Sequence, residues 1–193
     1  CRTRMPVTIP SSCPIATMPV ADVGRGRRGP PPPLEFIGCP GNTTPPWADG
    51  LGITWHLDLV QEACRGKCKK ITIKCISTCD AASSSGCTIE IGPPCNPGRN
   101  RRNYFYHEIE HVYQYCVSGD IANCDDRLCR ELDAYLSAGQ CGRNAPPGNA
   151  GSCCDRACDS VQNDSWCFLS KARCIARCTT LWNAGTCKSY PYW

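Results

Sequence analysis

The chain has 193 residues, enough for one domain with a core and an ordered arm, and twenty of them are cysteine, a density that belongs to disulfide scaffolds and argues against a reducing cytosol. The formal charge of +4 is mild, and the arginine clusters at 25–28 and 99–102 carry no interleaved aromatics, which excludes a nucleic-acid-binding stripe. No apolar run approaches the ~20 residues that a membrane span requires, so none is expected.

No charged-then-apolar leader opens the chain, so it reads as the mature form of a secreted protein. Cys1 fits a lipid-modified start, a processed precursor or a truncated chain equally well. There are no Cys-x-x-Cys knuckles of the kind that hold structural metals. Residues 1–33 are rich in proline and glycine, with short β-branched pieces such as Val7-Thr8-Ile9 and a run of prolines at 30–33. That composition predicts an extended arm. Two readings compete, a flexible or pro-region-like tail and a strand-like arm that docks on its own domain or on a neighbouring copy; a staple through Cys13, and Cys1, favours docking. Arg25-Gly26-Arg27-Arg28 looks like a dibasic processing site, although arginines in a glycine-rich loop are more often simply solvated.

The region 34–145 opens on turn signals up to Trp55: Pro40-Gly41-Asn42, Pro45-Pro46 and Asp49-Gly50. Asn42-Thr43-Thr44, and later Asn163-Asp164-Ser165, fit the N-glycosylation pattern. His56 is expected to be structural. Asp58 to Cys64 has short helical spacing. Lys70 to Ile76 alternates with period two and is the strongest strand; Cys87 to Ile91 is the second, and the two are expected to pair as an antiparallel hairpin. Cys64, Cys68, Cys75 and Cys79 suggest a helix stapled to an adjacent strand or loop.

A helix is predicted over 103–118, ending at Gly119. At 100° per residue, Phe105, Ile109, Val112 and Cys116 form its apolar face, while Tyr104, His107, Glu108, His111 and Tyr115 form another. His107 and His111 stand four residues apart, about 40° around the helix, so both imidazoles can reach one tetrahedral zinc ion. Glu108 beside them suits a general base acting on a water that the metal acidifies. Core histidines would share the apolar stripe, and these do not.

A second helix is predicted over 125–138, with capping residues at 123–126 and a stop at Gly139. Glu131 shares its face with Leu128, Leu132 and Tyr135, where an unpartnered carboxylate would be costly to bury. Glu131 is the preferred third ligand and Asp133, about 200° away, the reserve; a salt bridge from Glu131 to an arginine is the competing reading.

His107-Glu108-x-x-His111 followed by Glu131 twenty residues after the second histidine resembles the gluzincin group of zincin metallopeptidases, over about residues 104–136. The resemblance implies that the two histidines and the glutamate bind Zn2+ and that Glu108 is base and proton shuttle. The pattern departs at Tyr135, where that group has an aspartate supporting a histidine.

Residues 146–193 begin with Pro-Gly-Asn-Ala-Gly linker chemistry. They then place Cys154-x-x-x-Cys158 and Cys174-x-x-x-Cys178 at helical spacing, which predicts a hairpin of two helices joined by Cys154–Cys178 and Cys158–Cys174. The expected fold is α+β, a disulfide-rich single domain with a small antiparallel sheet. The expected function is a secreted zinc metallopeptidase acting on a peptide or protein substrate. Its oxyanion group would be one of Tyr104, Tyr106, Tyr115 or Tyr135. The alternative is an extracellular structural or self-assembling protein on a zincin-like scaffold, associating through the arm. A small toxin or inhibitor is less well supported, because it would leave the histidine face without a role.

Overall fold

Ile71 and Ile73 are both fully buried, while Thr72 between them is half-buried and Lys74 after them exposed, and this alternation builds the sheet at the heart of the N-terminal half. In the computed structural model the described residues are 29–43, 53–93, 95, 101–141, 151–162, 167 and 170–187. Most of the expected arm and its Cys1 and Cys13, the sequon at 163–165 and the Pro/Gly linker therefore lie outside them. Strand β1 is Leu34–Ile37, β2 Ile71–Cys75, β3 Ala82–Ser85 and β4 Thr88–Ile91. Helix α1 is Ile53–Ala63, α2 Arg101–Ser118, α3 Cys124–Ser137, α4 Gly151–Val161 and α5 Lys171–Asn183. The fold is α+β, as the sequence predicts.

The sheet is mixed, not antiparallel as expected. Its order is β1-β2-β4-β3; β1, β2 and β4 run parallel, and only β3 runs against its neighbour. The expected hairpin between 70–76 and 87–91 does not form. These strands lie side by side in parallel, Ile73 against Ile89, because β3 intervenes and makes the hairpin with β4 itself. Its two-residue turn begins at Gly86 with φ 55°, a conformation that glycine adopts without a Cβ clash. Strand β1 falls in a stretch that reads as turns alone, and α1 begins five residues earlier than its spacing suggests.

Two hydrophobic clusters form. The first packs α1 and the apolar face of α2 on the sheet, around Ile53, Leu57, Ile71, Ile73, Ile89, Phe105, Ile109 and Val112. The predicted face of α2 is the buried one: Phe105, Ile109, Val112 and Cys116 are at most 2% exposed. The second joins α3, α4 and α5 around Leu128, Leu132, Val161 and Leu181.

The disulfides divide in the same way. Cys39–Cys75, Cys64–Cys116, Cys68–Cys87 and Cys79–Cys95 staple the N-terminal half. Cys124–Cys167, Cys129–Cys187, Cys141–Cys153, Cys154–Cys178 and Cys158–Cys174 staple the C-terminal half. The last two are the pairs predicted for the helical hairpin. The repeat at Cys64, Cys68, Cys75 and Cys79 does not pair internally. Cys64 follows the end of α1 and meets α2, which packs on that helix, while Cys75 at the end of β2 meets the chain leaving its parallel neighbour β1.

The halves meet where α2 turns into α3. Gly119, at φ 82°, ends α2, and Asn123 caps α3 by accepting from the Asp126 backbone N–H at 2.9 Å, a cap contributing about 1 kcal/mol. Arg130 ties the turn down, donating to Gly119 O at 2.8 Å and Asp120 O at 3.1 Å while pairing with Asp126.

Candidate metal centre

The seam between α2 and α3 collects the charge of the interior. Among the described residues, the buried polar side chains are His56 and seven others, and the seven all lie on these two helices: His107, Glu108, Glu110, Gln114, Arg130, Glu131 and Asp133. Helical periodicity explains the arrangement, since α2 turns one face to the sheet and must offer its polar face to α3.

His107, His111 and Glu131 converge there. His107 Nε2 and His111 Nε2 are 3.0 Å apart. Glu131 Oε2 lies 3.3 Å from His107 Nε2, and Glu131 Oε1 3.2 Å from His111 Nε2. Ligand atoms about 2.0–2.1 Å from a tetrahedral zinc ion stand about 3.3 Å from one another, so the triangle has the size of one face of such a site. Glu131 is 2% exposed, and its Oε2 has no hydrogen-bond partner. When both imidazoles are neutral and turn their Nε2 lone pairs inward, these atoms and the carboxylate face one point and can share a cation. The donor set of two imidazoles and a carboxylate therefore fits zinc.

The electrostatics express the same demand for positive charge. Burial lowers the His111 pKa, but the Glu131 carboxylate outweighs it, with Glu108 and Gln114 adding, and the net value is about 9. Burial raises the Glu131 pKa, yet His111 and His107 together hold the carboxyl well below its ordinary value. The competing reading for Glu131 is also realised: Arg127 Nη1 lies 2.8 Å from Oε1. The two readings are compatible, because the arginine pairs with Oε1, which it shares with His111, and leaves Oε2 to His107.

Asp133, the reserve ligand, is not part of the triangle. Its Oδ2 accepts from Gln114 Nε2 at 3.1 Å. It also faces Glu110, whose pKa burial and this neighbour push up to about 8. Behind the histidines, then, stands a buried pair of facing carboxyl groups, which favours protonation of Glu110.

Glu108 is buried beside His107 and accepts from Ser84 Oγ at 2.7 Å through its Oε2. Ser84 belongs to the edge strand β3, and neither it nor Gln114 was singled out from the sequence. Ser84 lies in a serine run without strand periodicity. Gln114 had a usable signal, since it stands three residues after His111 and so on the same side of the helix.

A cavity of about 1070 Å³ opens over the triangle, bordered by β3 on one side and by Arg127, Tyr135 and Ser160 on the other. Of the four tyrosines considered for an oxyanion, Tyr104, Tyr115 and Tyr135 line it. Tyr106 turns instead to the ring of His56, 4.6 Å away, and is not at the site. Tyr135 packs against His107 with ring centroids 4.4 Å apart at a tilt of 57° and shares a hydrogen bond with Ser160 Oγ at 2.8 Å, so it supports the imidazole by ring packing where the gluzincin pattern uses a carboxylate. His56 is buried against Trp55 and Tyr106, in the structural role expected of it.

Cys64, Cys68 and Cys116 also lie close enough to share a metal. Their sulfurs are committed to disulfides, so no thiolate is present to bind one. Comparisons of this chain with protein-family models, curated proteins and solved structures find no match.

Proposed function

We propose that this chain is a secreted zinc-dependent metallopeptidase, with His107, His111 and Glu131 as zinc ligands and Glu108 as general base. The observation that carries the reading is the triangle of His107 Nε2, His111 Nε2 and the Glu131 carboxylate, with Glu108 beside it at the wall of an open cavity. Zinc held there supplies Lewis acidity to a peptide carbonyl and lowers the pKa of a water.

The rest is the work of this chain's residues. Glu108 takes a proton from the attacking water and returns it to the leaving amine nitrogen. Ser84, donating to Glu108 Oε2, restricts the carboxylate to one orientation. Strand β3 pairs only with β4 among the described strands, so its outer edge offers backbone donors and acceptors to an extended peptide, which would lie along the cavity as an added strand. The disulfide load supports secretion, and no helix among the described residues is long and apolar enough to cross a membrane.

The test is Glu108→Gln. It is expected to retain one zinc per chain by metal analysis while peptide hydrolysis falls by about 10²–10⁴-fold. Wild-type protein that is loaded with one zinc and cleaves nothing in a diverse peptide library would overturn the reading in favour of a structural role. So would a Glu108→Gln variant of undiminished activity.

A further inference from the structure

We propose that Gln114 is a positioning residue that presents His111 to the metal by fixing its tautomer, and that it transmits this constraint from the C-terminal half. The inference rests on the metal site proposed above and adds a residue that the ligand motif does not contain.

Gln114 is fully buried one turn after His111. Its Nε2 lies 3.1 Å from Arg130 O and 3.1 Å from Asp133 Oδ2. A backbone carbonyl and a carboxylate oxygen can only accept, so the amide nitrogen must face them. The orientation of the amide is thereby decided by its surroundings. Flipping it would set the carbonyl oxygen against two acceptors in a buried site, with two lost hydrogen bonds.

With the amide so placed, Oε1 is the atom 3.0 Å from His111 Nδ1. Since Oε1 accepts, Nδ1 carries a proton, so when the ring is neutral the lone pair is on Nε2, the atom that faces His107 Nε2 and Glu131. That tautomer is the one a metal ligand through Nε2 needs. The two histidines are not equivalent in this respect. His107 Nδ1 is buried without a hydrogen-bond partner, and its ring is held by packing on Tyr135. His111 alone is preset by a hydrogen bond, and that bond is anchored through Gln114 on Arg130 and Asp133 of α3, the helix that also carries Glu131. One buried amide thus couples the orientation of a ligand on α2 to the helix supplying the third ligand.

The experiment measures zinc affinity by competition with a chromogenic chelator for wild type, Gln114→Leu and Gln114→Glu. It also identifies, from ¹⁵N histidine spectra of the zinc-loaded wild type, which ring nitrogen of His111 bears the metal. Gln114→Leu keeps the bulk and removes the acceptor, and is expected to weaken zinc binding about 10–100-fold. Gln114→Glu restores an acceptor for Nδ1–H, with its second oxygen protonated so as to keep a donor towards Arg130 O and Asp133 Oδ2, and is expected to bind zinc more tightly than Gln114→Leu. Equal affinities for wild type and Gln114→Leu, or equal losses in both variants, would overturn the inference. So would wild-type spectra with zinc on Nδ1, a result independent of how either variant folds. A wild-type protein that takes up no zinc at all would instead overturn the metal site on which the inference stands.

Discussion

His107, Glu108, His111 and Glu131 were legible in the sequence because helical geometry alone decides which side chains share a face, and a carboxylate stranded on an apolar stripe advertises a buried partner. Ser84 and the role of Gln114 were not, since each depends on a hydrogen bond across elements whose approach no local pattern encodes. The buried charges have a consequence for stability. Without metal, burial and Asp133 raise the Glu110 pKa from 4.5 to about 8. His111, lowered by burial but raised more by Glu131, goes from 6.5 to about 9. Both folded-state values lie above the unfolded ones, so the native state keeps protons that the unfolded chain releases. Stability falls as pH rises, through Glu110 between 4.5 and 8 and through His111 between 6.5 and 9, each by up to about 1.4 kcal/mol per pH unit. Glu131, shifted the other way, acts only below its ordinary range. Metal-free protein is therefore expected to melt at a lower temperature at pH 9 than at pH 6.5. Zinc-loaded protein should show a shallower decline, because His111 then enters the fold as a neutral ligand. Parallel melting curves across this range check it, and a flat profile for the metal-free protein would contradict the assignment.

Among the elements, the helices were readable to within two residues at α2 and one at α3, because each carries a 3.6-residue apolar stripe and a stop glycine. The sheet was not. Strand β1 is four residues long and set among turn signals, and β3 is Ala-Ser-Ser-Ser, with no β-branched side chain to mark it. Its place comes from backbone pairing with β4 and from the turn at Gly86, and so the parallel register of β2 with β4 stayed hidden. The far end of β4 is fixed by close backbone approach. Gly92 donates to Ala81 O at 2.7 Å, and a Cβ there would fall 1.7 Å from Thr78 O, which is backbone and cannot rotate away. Gly92→Ala is expected to destabilise the protein by about 1–3 kcal/mol or more, read as a lower denaturant midpoint. An unchanged midpoint would mean that the 78–81 turn yields freely. The same turn borders β3, so the variant should also lose affinity for an extended peptide.

At the scale of the molecule, the helical hairpin of α4 and α5 and its two disulfides could be read from the Cys-x-x-x-Cys spacings, whereas the other seven pairings needed the fold. What those pairings leave undone bears on how the protein comes apart. As a covalent graph, the described chain is two multiply cross-linked bodies joined by a single tether, the peptide from Cys116 to Cys124. A cut anywhere inside either body's loops leaves the pieces held by sulfur, but a cut in the tether does not. With a specific protease site inserted between Ile121 and Ala122, cleavage is expected to yield two fragments that separate on a denaturing gel without reductant. On a native gel they should stay together while zinc is present and drift apart in chelator. One unseparated band under denaturing, non-reducing conditions would refute the partition. Metal binding would then be the reversible counterpart of a disulfide, a cross-link between two bodies that a chelator, and not a reductant, can open.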